Sequence, residues 1–382
     1  MIAVIADDFT GAAEIGGVGL RHGLKVIIET EISKPHDIDL LIVATNTRAL
    51  SADRAADEIA RITEQLLRLK PSYIFKKLDS VLRGNIISEL TAQSEVMDKQ
   101  RVIVVAGNPA FGRLIIDGKY FVNEVPLHKT FFASDPEFPV TSNNIRTILE
   151  LNGTDVFTSL GPNESLPDKG IIVGDIANDE EMKSWVEKLN SSTIPAGGAG
   201  FFDAVLNHKY SPPIEEKGNY KLGHKALFVF GSAFPKDESM MQKLKDAGVY
   251  FSFMPREIYL GGSNQLESIE QWAEDVSSRI KNHQRVVVAV NFDDFELEQL
   301  GMRIQNAMSV LVEQVMQKVQ LEDLLIEGGS TTFEVLSRLG ITCLYPFQEI
   351  EAGVIQMRTE VYKGLCITTK PGSYNWPENL VF

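Results

Sequence analysis

Short apolar runs alternate with longer amphipathic stretches along the N-terminal half of the chain. Uninterrupted apolar runs predict strands buried on both faces, and apolar residues at helical spacing predict helices that cover a sheet. Strands are predicted at 2–6, 25–29, 40–44, 73–76, 101–106 and 170–173. Helices are predicted at 11–22, 51–69, 85–97, 142–151 and 179–189. This alternation favours a mainly parallel sheet.

The same alternation begins again after a polar, proline-rich segment at 209–223, which is typical of a linker. Strands are predicted at 226–230, 250–253, 285–290, 323–326, 355–361 and 365–369. Helices are predicted at 236–247, 265–280, 295–319 and 332–339. We therefore predict two Rossmann-like α/β domains, at 1–208 and 224–382, with mainly parallel sheets and helices on both faces. A cleft between two such domains is a common ligand site, and we expect one here.

The segment at 107–141 breaks the alternation in the first domain. Asp117 and Gly118 separate two apolar runs, at 114–116 and 119–122, and this pattern predicts a β-hairpin with a tight turn. Insertions of this kind often form a lip over a binding site. We expect the hairpin to lie near a ligand.

Charge and composition exclude several classes of partner. The net charge of −15 argues against binding to nucleic acid or to an anionic membrane. No apolar run approaches the ~18 residues that a membrane-spanning helix needs, and the first residues lack the charged segment of a signal peptide, so we predict a cytoplasmic protein. Cys343, Cys366 and the scattered histidines lack metal-ligand spacing, so we predict no dedicated metal site. A homodimer is our expectation for the assembly.

Two adjacent carboxylates, Asp7 and Asp8, follow the first predicted strand directly. Ligands bind at the carboxyl ends of strands in open α/β sheets, and two acids there need a metal ion, a substrate hydroxyl or a base as partner. Phe9 stands where an aspartyl phosphatase of the haloacid-dehalogenase type would have its second acid, which disfavours that class. Capping of the next helix by Asp8 or Thr10 is the alternative, and it accounts for only one of the acids.

Cationic residues follow the next strands at the same position. Arg48 comes after the strand at 40–44, and Lys77 and Arg83 come after the strand at 73–76. Arginine offers a planar fork that suits a carboxylate or a phosphate. Because the charges cluster at strand ends, a pocket for a hydroxylated anion is favoured over surface ion pairs. Arg113 fits an anion contact or a plain turn equally well.

Loops rich in glycine and hydroxyl groups follow three strands of the second domain. The residues concerned are Ser232, Gly328, Gly329, Ser330, Thr331, Lys370 and Gly372. Paired glycines let backbone N–H groups approach an anion closely. No Walker A sequence occurs, and each loop alone fits a helix cap as well as a phosphate contact. The three loops together favour a nucleotide phosphate site.

Five short motifs, spread over nearly the whole chain, occur in an order that is typical of one known family. They are Asp-Asp-Phe-Thr-Gly-Ala at 7–12, Lys-Leu-Asp-Ser-Val-Leu-Arg-Gly-Asn at 77–85, Phe-Val-Asn-Glu-Val-Pro-Leu at 121–127, Gly-Ser at 231–232 and Gly-Gly-Ser-Thr at 328–331. In this order they resemble the four-carbon acid sugar kinase family. The chain departs from the family at Ser330, where an acid is usual, and at 370–375, where Lys-Pro-Gly-Ser-Tyr-Asn replaces the usual Lys-Ser-Gly-Gly-Phe-Gly.

The resemblance implies that an N-terminal domain binds a sugar acid and a C-terminal domain binds ATP. It implies phosphorylation of a hydroxyl group of threonate, erythronate or 3-oxo-tetronate. By motif, the sugar-acid contacts would be Asp8, Arg48, Lys77, Leu78, Asp79 and Ser80. The nucleotide contacts would be Ser232, Gly328, Gly329, Ser330, Thr331 and Gly372.

The resulting hypothesis is direct in-line phosphoryl transfer from Mg-ATP, which needs positioning and charge neutralisation more than covalent chemistry. Asp8 would be the base, and Asp7 would hold Asp8 or reach the magnesium shell. The substrate carboxylate would be bound by Arg48, Lys77 and Arg83. Lys370 would neutralise phosphate charge.

Two other classes stay open at this point. A sugar-acid dehydrogenase would carry G-x-G-x-x-G after its first strand with an acid about 20 residues further on, and that fingerprint is absent. A regulatory protein that binds the same ligands without turnover has no sequence mark against it. An assay of ADP release with Mg-ATP and four-carbon sugar acids separates the three classes.

Overall fold

The chain forms two compact units, Met1–Glu215 and Glu216–Phe382. The computed structural model describes residues 1–33, 37–135, 138–149, 157–210, 221–231, 238–260, 265–283, 285–290 and 300–377. The domain limits drawn from the sequence, with a linker at 209–223, remain a prediction, since residues 211–220 lie outside this described part.

The first unit alternates strands and helices, as the hydrophobic pattern predicts. Its strands are β1 (Ile2–Ala6), β2 (Val26–Glu29), β3 (Leu40–Ala44), β4 (Ile74–Lys77), β5 (Arg101–Val105), β6 (Arg113–Ile116), β7 (Lys119–Val122), β8 (Val125–Pro126), β9 (Phe157–Leu160), β10 (Gly170–Gly174) and β11 (Thr193–Gly197). Its helices are α1 (Phe9–Arg21), α2 (Ala52–Arg68), α3 (Ile86–Met97), α4 (Ile145–Leu149), α5 (Asp179–Glu187) and α6 (Ala199–Lys209). Residues 150 and 151 of the helix predicted at 142–151 lie outside the described residues.

Eight of these strands lie in the order β2-β3-β1-β4-β11-β5-β10-β9 and pair in parallel. Strand β1 lies between β3 and β4, so that Ala6 pairs with both Ala44 and Lys77. Strands β1 and β3 are buried along their whole length, as expected for apolar strands of a parallel sheet with both faces covered. The loops after β1, β3 and β4 therefore leave the same edge of the sheet side by side.

The predicted hairpin is present as antiparallel strands β6 and β7. Asp117 and Gly118 both have positive φ, +49° and +67°, which is the backbone that a two-residue hairpin turn requires. Strand β8 extends the pair to a small three-stranded sheet.

Strand β11 was not predicted from the sequence, although it lies between β4 and β5 in the centre of the sheet. Its sequence, Thr-Ile-Pro-Ala-Gly, has few large apolar residues. It also contains a proline, which argues against a central strand. The glycine-rich segment at 196–200 leads directly into α6, which begins at Ala199. Strand β9 was also missed.

Gly197 lies at a position of β11 that leaves no room for a side chain. Its φ is +152°, and a Cβ there would lie 2.0 Å from the carbonyl oxygen of Val105. We expect Gly197→Ala to lower the free energy of unfolding by about 2–6 kcal/mol, through backbone strain and overpacking together.

Gly23→Ala is the matched control for this prediction. Gly23 also has positive φ, +70°, but no heavy atom lies within 4 Å of its Cβ position. Its cost should be about 1–2 kcal/mol, from the backbone alone. Equal losses for the two variants in urea titrations would show that the contact with Val105 relaxes freely.

The second unit has the same alternation, followed by an antiparallel end. Its strands are β12 (Ala226–Phe230), β13 (Tyr250–Phe253), β14 (Arg285–Ala289), β15 (Asp323–Glu327), β16 (Cys343–Glu351), β17 (Val354–Arg358) and β18 (Cys366–Lys370). Its helices are α7 (Glu238–Asp246), α8 (Arg256–Leu260), α9 (Gln265–His283), α10 (Leu300–Lys318) and α11 (Gly329–Arg338). Residues 236–237 and 295–299 of the predicted helices lie outside the described residues.

These strands lie in the order β13-β14-β12-β15-β18-β17-β16. The pairs from β13 to β18 are parallel, and β17 is antiparallel to both β18 and β16. Glu327 pairs with Phe230 on one side and with Lys370 on the other. The carboxyl ends of β12, β15 and β18 therefore lie at one edge of the sheet.

Among the described helices of both units, none is long and apolar enough to cross a membrane.

Candidate functional site

Asp8 is the N-cap of α1 and lies at the carboxyl end of β1. Its Oδ1 accepts a hydrogen bond from the backbone N–H of Gly11 at 2.8 Å, and its Oδ2 accepts one from the Thr10 hydroxyl at 2.8 Å. The capping alternative considered for Asp8 is thus confirmed. Capping uses only part of the carboxylate, which has about four acceptor positions.

Arg48 joins the two strand-end acids to a third. Its Nε donates to Asp7 Oδ2 at 2.8 Å, its Nη2 lies 3.3 Å from Asp8 Oδ1, and its Nη1 lies 3.5 Å from Asp79 Oδ1. The Arg48 side chain is 13% exposed, so these charges interact with little solvent screening. The second oxygen of Asp7, Oδ1, is buried and has no hydrogen-bond partner among the described residues.

Asp79 and Arg83 form a second part of the same network. Arg83 donates Nε to Asp79 Oδ2 at 2.8 Å and Nη2 to Asp79 Oδ1 at 2.7 Å. Arg83 Nη1 also donates to Asp135 Oδ2 at 2.5 Å, and its guanidinium lies 5.3 Å from the ring centroid of Phe132. Asp135 and Phe132 belong to the insertion at 107–141, which is therefore tied to the loop after β4.

The remaining predicted contacts of this unit lie at the end of β4 and in the loop that follows it. Lys77 is buried, donates Nζ to the carbonyl of Leu78 at 2.9 Å and lies 3.5 Å from Glu14 Oε2. The carbonyl of Ser80 accepts a hydrogen bond from the hydroxyl of Tyr120 at 2.5 Å. The structure thus brings Asp7, Asp8, Arg48, Lys77, Leu78, Asp79, Ser80 and Arg83 to one edge of the first sheet.

The charges at this edge change the acidity of its carboxyl groups. Burial raises the pKa of Asp8, but the charges of Arg48 and Lys77 and the hydrogen bonds from Thr10 and Gly11 outweigh burial and hold that pKa below its usual value. Asp8 is therefore an ionised carboxylate near neutral pH.

Asp79 behaves in the same way. Burial raises the pKa of Asp79, but Arg83 and Arg48 outweigh burial and bring that pKa far below its usual range. Both arginines keep their charge, because the surrounding acids raise their pKa values against the effect of burial.

Asn85 fixes the loop that carries Arg48. Its Nδ2 donates to the carbonyls of Leu50 at 2.8 Å and Thr47 at 3.1 Å. Gly84, with φ of +91°, packs against Arg48, where a Cβ would lie 2.9 Å from Arg48 Cγ. Sequence reasoning assigned no role to Asn85, Tyr120 or Asp135. For Asn85 the signal was its place at the end of a motif, directly before α3.

A buried ion pair lies at the carboxyl ends of β15 and β18 in the second unit. Lys370 Nζ lies 3.3 Å from Glu327 Oε2, and both side chains are nearly inaccessible to solvent. The indole Nε1 of Trp376 donates to the same Glu327 oxygen at 3.1 Å. Lys370 was singled out from the sequence, whereas Trp376 was not, because one tryptophan near the C-terminus carries no local signal.

The glycine loop after β15 leads directly into α11. Gly328 has φ of +96° and precedes the helix as its N-cap, and Gly329, Ser330 and Thr331 form the first turn. A Cβ on Gly231 would lie 2.5 Å from Thr331 Oγ1, so the loop after β12 passes close to this turn. Ser232 lies outside the described residues, and Gly372 lies in the turn after β18.

Helix N-termini of this kind present unpaired N–H groups that bind phosphates. Among the described residues, no group of three or more His, Cys, Asp and Glu side chains is placed to hold a metal ion.

Comparison with known protein families agrees with this division of chemistry. A family model described as a sugar-binding N-terminal domain matches residues 2–205, and one described as a nucleotide-binding C-terminal domain matches residues 227–374. The chain is 25% identical over 370 residues to a D-threonate kinase of Salmonella typhimurium, covering 88% of this chain and 86% of the relative. It is 26% identical over 382 residues to a D-erythronate kinase of Heliobacterium modesticaldum, covering 88% and 85%.

Solved structures share the fold. One from Salmonella typhimurium LT2, solved under the description of a tRNA synthase, has a TM-score of 0.77 at 18% identity and covers 98% of this chain and 96% of its own. A protein of Haemophilus influenzae has a TM-score of 0.67 at 18% identity and covers 99% and 98%. Identities this low establish the α/β fold alone.

A sugar-binding α/β domain followed by a nucleotide-binding one defines a kinase, a phosphotransferase that acts on a hydroxyl group. The chain belongs to the four-carbon acid sugar kinase family, as its motifs indicate. Its co-substrate is a nucleotide and its other substrate a small sugar acid.

Proposed function

We propose that this kinase transfers the terminal phosphoryl group of Mg-ATP to a hydroxyl of threonate, erythronate or 3-oxo-tetronate. The observation that carries the proposal is the adjacent pair Asp7 and Asp8 at the end of β1, where both carboxylates contact the buried Arg48 guanidinium and the pKa of Asp8 is held below its usual value. The relatives named D-threonate kinase and D-erythronate kinase, which match over most of their length, support this substrate class.

On the acceptor side, Asp8 would accept the proton of the reacting hydroxyl. Its carboxylate keeps acceptor capacity beyond the hydrogen bonds from Gly11 and Thr10. Asp7 holds Arg48 through one oxygen, and its other oxygen, which has no hydrogen-bond partner among the described residues, is the hard ligand type that a magnesium ion accepts. We assign the magnesium to the nucleotide complex, with no dedicated protein site.

The substrate carboxylate would be bound by Arg48, Lys77 and Arg83, with Leu78, Asp79 and Ser80 lining the pocket. Each guanidinium already contacts buried acids. A guanidinium has five N–H donors, more than these contacts use, so each can also bind a ligand. The acids that contact these three cations outnumber them, so the substrate carboxylate would be bound through directed N–H donors rather than through a net positive charge.

On the donor side, the backbone N–H groups of Gly329, Ser330 and Thr331 at the start of α11 would bind the ATP phosphates, with Gly328, Ser232 and Gly372 as further contacts. The positive φ of Gly328 makes this close approach possible. The N–H of Gly328 itself donates to the carbonyl of Lys370 at 2.9 Å. The sequence predicts that Lys370 neutralises phosphate charge, and the Lys370 ammonium lies 3.3 Å from Glu327 Oε2 at this end of the sheet.

A direct assay tests the function. Purified protein is incubated with Mg-ATP and separately with D- and L-threonate, D- and L-erythronate and 3-oxo-tetronates, and ADP release is measured. We expect turnover with one or two of these acids and none with a C6 sugar acid such as gluconate. Nucleotide binding without turnover on any of the acids would favour the regulatory alternative, and reduction of a nicotinamide cofactor would favour the dehydrogenase.

The expected homodimer and cytoplasmic location remain predictions. Light scattering coupled to size-exclusion chromatography tests the first, and cell fractionation tests the second.

Asn85→Ala should weaken sugar-acid binding, although Asn85 is not one of the proposed substrate contacts. The change removes the two donors that hold the carbonyls of Thr47 and Leu50, so the loop carrying Arg48 loses its fixed position. We expect KM for the sugar acid to rise about tenfold, which corresponds to the loss of one hydrogen bond between Arg48 and the substrate carboxylate. KM for ATP should stay unchanged.

Asn207→Ala is the control for Asn85→Ala. The amide of Asn207 donates to Asp203 Oδ2 on an exposed part of α6, so its loss should leave both KM values unchanged. A normal sugar-acid KM in Asn85→Ala would show that Arg48 holds its place without this support.

A further inference from the structure

The ammonium group of Lys370 already has three acceptors inside the protein. It lies 3.3 Å from Glu327 Oε2 and donates to the carbonyls of Pro371 at 2.9 Å and Tyr374 at 2.5 Å. An ammonium has three N–H donors, so these contacts use its full capacity. Lys370 is 2% exposed. A contact with a phosphate would require this group to leave a buried carboxylate and two carbonyls.

The residues after Lys370 fold over the ion pair. Trp376 donates to Glu327 at 3.1 Å, stacks on Phe230 with ring centroids 6.1 Å apart, and lies 5.6 Å from the Lys370 ammonium. The Tyr374 ring packs on Gly353, where a Cβ would lie 2.7 Å from it. The segment at 371–376, called the closing loop here, is thus held at both ends by Glu327 and Lys370.

We propose that Lys370 and Glu327 are positioning residues for the nucleotide, which act by holding the closing loop and its Gly372 in place rather than by contacting a phosphate. This inference rests on the proposed nucleotide site of the second unit. Glu327 adjoins Gly328 in the chain, so the same ion pair connects the closing loop to the glycine turn before α11.

The ion pair makes a specific prediction about paired substitutions. Removing one member of a buried pair leaves the other charge uncompensated, whereas removing both members removes that penalty. Lys370→Met and Glu327→Gln should therefore each weaken nucleotide binding. The double variant should be no weaker than the worse single variant. A lysine that contacts phosphate directly gives another result for Glu327→Gln: that variant then binds the nucleotide normally, and only variants without Lys370 bind more weakly.

Trp376→Phe tests the inference without a change of charge. It removes the indole donor to Glu327 and keeps an aromatic ring next to Phe230. We expect about a tenfold loss in affinity for the ATP analogue AMP-PNP with MgCl₂, measured by calorimetry, since one hydrogen bond to a charged group is lost. KM for the sugar acid should not change.

Trp272→Phe is the matched control. The Trp272 indole donates to the Ser252 hydroxyl at 2.8 Å, elsewhere in the same unit, so this variant also loses a buried indole hydrogen bond but should bind AMP-PNP normally. Acrylamide quenching gives a second measurement, because Trp376 is buried in the wild-type protein and should become more accessible in Lys370→Met.

These measurements distinguish a failure of the proposed function from a failure of the positioning role alone. If the wild-type protein binds no AMP-PNP, the proposed function fails and this inference fails with it. If the wild-type protein binds and Trp376→Phe and Glu327→Gln bind equally well, the positioning role alone is wrong. Additive losses in the double variant overturn it as well.

Discussion

Asp8→Asn should lower kcat for sugar-acid phosphorylation by about 10²–10⁴-fold, the range expected when a positioned base is removed. The asparagine has the same shape and its Oδ1 can still accept the hydrogen bond from Gly11, so the cap of α1 is kept. The change removes the charge that attracts and accepts the proton of the substrate hydroxyl. Calorimetry with AMP-PNP should show unchanged affinity, because the proposed nucleotide residues belong to the second unit.

The low pKa of Asp8 sets the pH dependence of this reaction. Burial raises the pKa, but Arg48 and Lys77 outweigh it, so the carboxylate stays ionised to a pH below its usual value. Activity that depends on the ionised form is then present through the neutral range and is lost only as pH falls through this lowered pKa. The wild-type kcat/KM should therefore not fall as the pH is lowered from 8 to about 5, because pH 5 is still well above the usual pKa of an aspartate.

Asp203→Asn is the control for Asp8→Asn. Asp203 lies on α6, with its side chain 30% exposed and paired with His22 and Arg21. Its substitution should leave kcat unchanged. A kcat for Asp8→Asn within a few-fold of wild type would contradict the assignment of Asp8 as the base.

The elements that sequence predicts best are those with one dominant signal. Strands β1, β3 and β12 lie where the apolar runs place them, since a run that is buried on both faces has no polar residue to blur its ends. Helix α1 begins at Phe9, two residues before the predicted start, because Asp8 rather than Thr10 caps it.

The missed elements have weak or mixed signals. Strand β16 (Cys343–Glu351) alternates buried and exposed positions and contains a proline, and it is antiparallel, which the alternating pattern of strands and helices did not suggest. Strand β11 depends on its neighbours β4 and β5 for stability more than on its own sequence. In both, tertiary packing overrides local propensity.

The sequence could place the candidate residues at one sheet edge, but it could not show their partners. Adjacency of β1 to both β3 and β4 brings Arg48 to Asp7, which is 41 positions away, and that adjacency is a property of sheet order. The pairing of Arg83 with Asp135 spans 52 positions and depends on how the insertion folds back. Such contacts follow from the topology, so no local spacing indicates them.

Arg48→Met should be the most destabilising of the substitutions in the acid-sugar site. Methionine fills similar space but leaves Asp7, Asp8 and Asp79 without the cation they share. Removing one partner from a buried ionic cluster costs about 3–5 kcal/mol, a large part of the 5–15 kcal/mol that holds a typical protein folded. Urea titrations at pH 7 measure the loss, and sugar-acid binding should fall with it.

Arg61→Met provides the control on the surface. Arg61 donates two hydrogen bonds to Glu58 one turn away on α2, and its side chain is 50% exposed, so solvent screens the pair. Exposed pairs of this kind contribute at most about 1 kcal/mol. Equal losses of stability for Arg48→Met and Arg61→Met would contradict a buried, shared charge at Arg48.

The pH dependence of the Arg48→Met loss separates charge from packing. Arg48 is one cause of the lowered pKa values of Asp8 and Asp79, so these pKa values rise in the variant. A lowered pKa in the folded state gives stability that is present above the unfolded-state value of about 4 and is lost as pH falls through the folded-state value. The difference in unfolding free energy between wild type and Arg48→Met should therefore be largest near pH 7 and become smaller below about pH 4, where the unfolded carboxyls are protonated. A difference that stays constant over this range would mean that the guanidinium stabilises the unit by filling space.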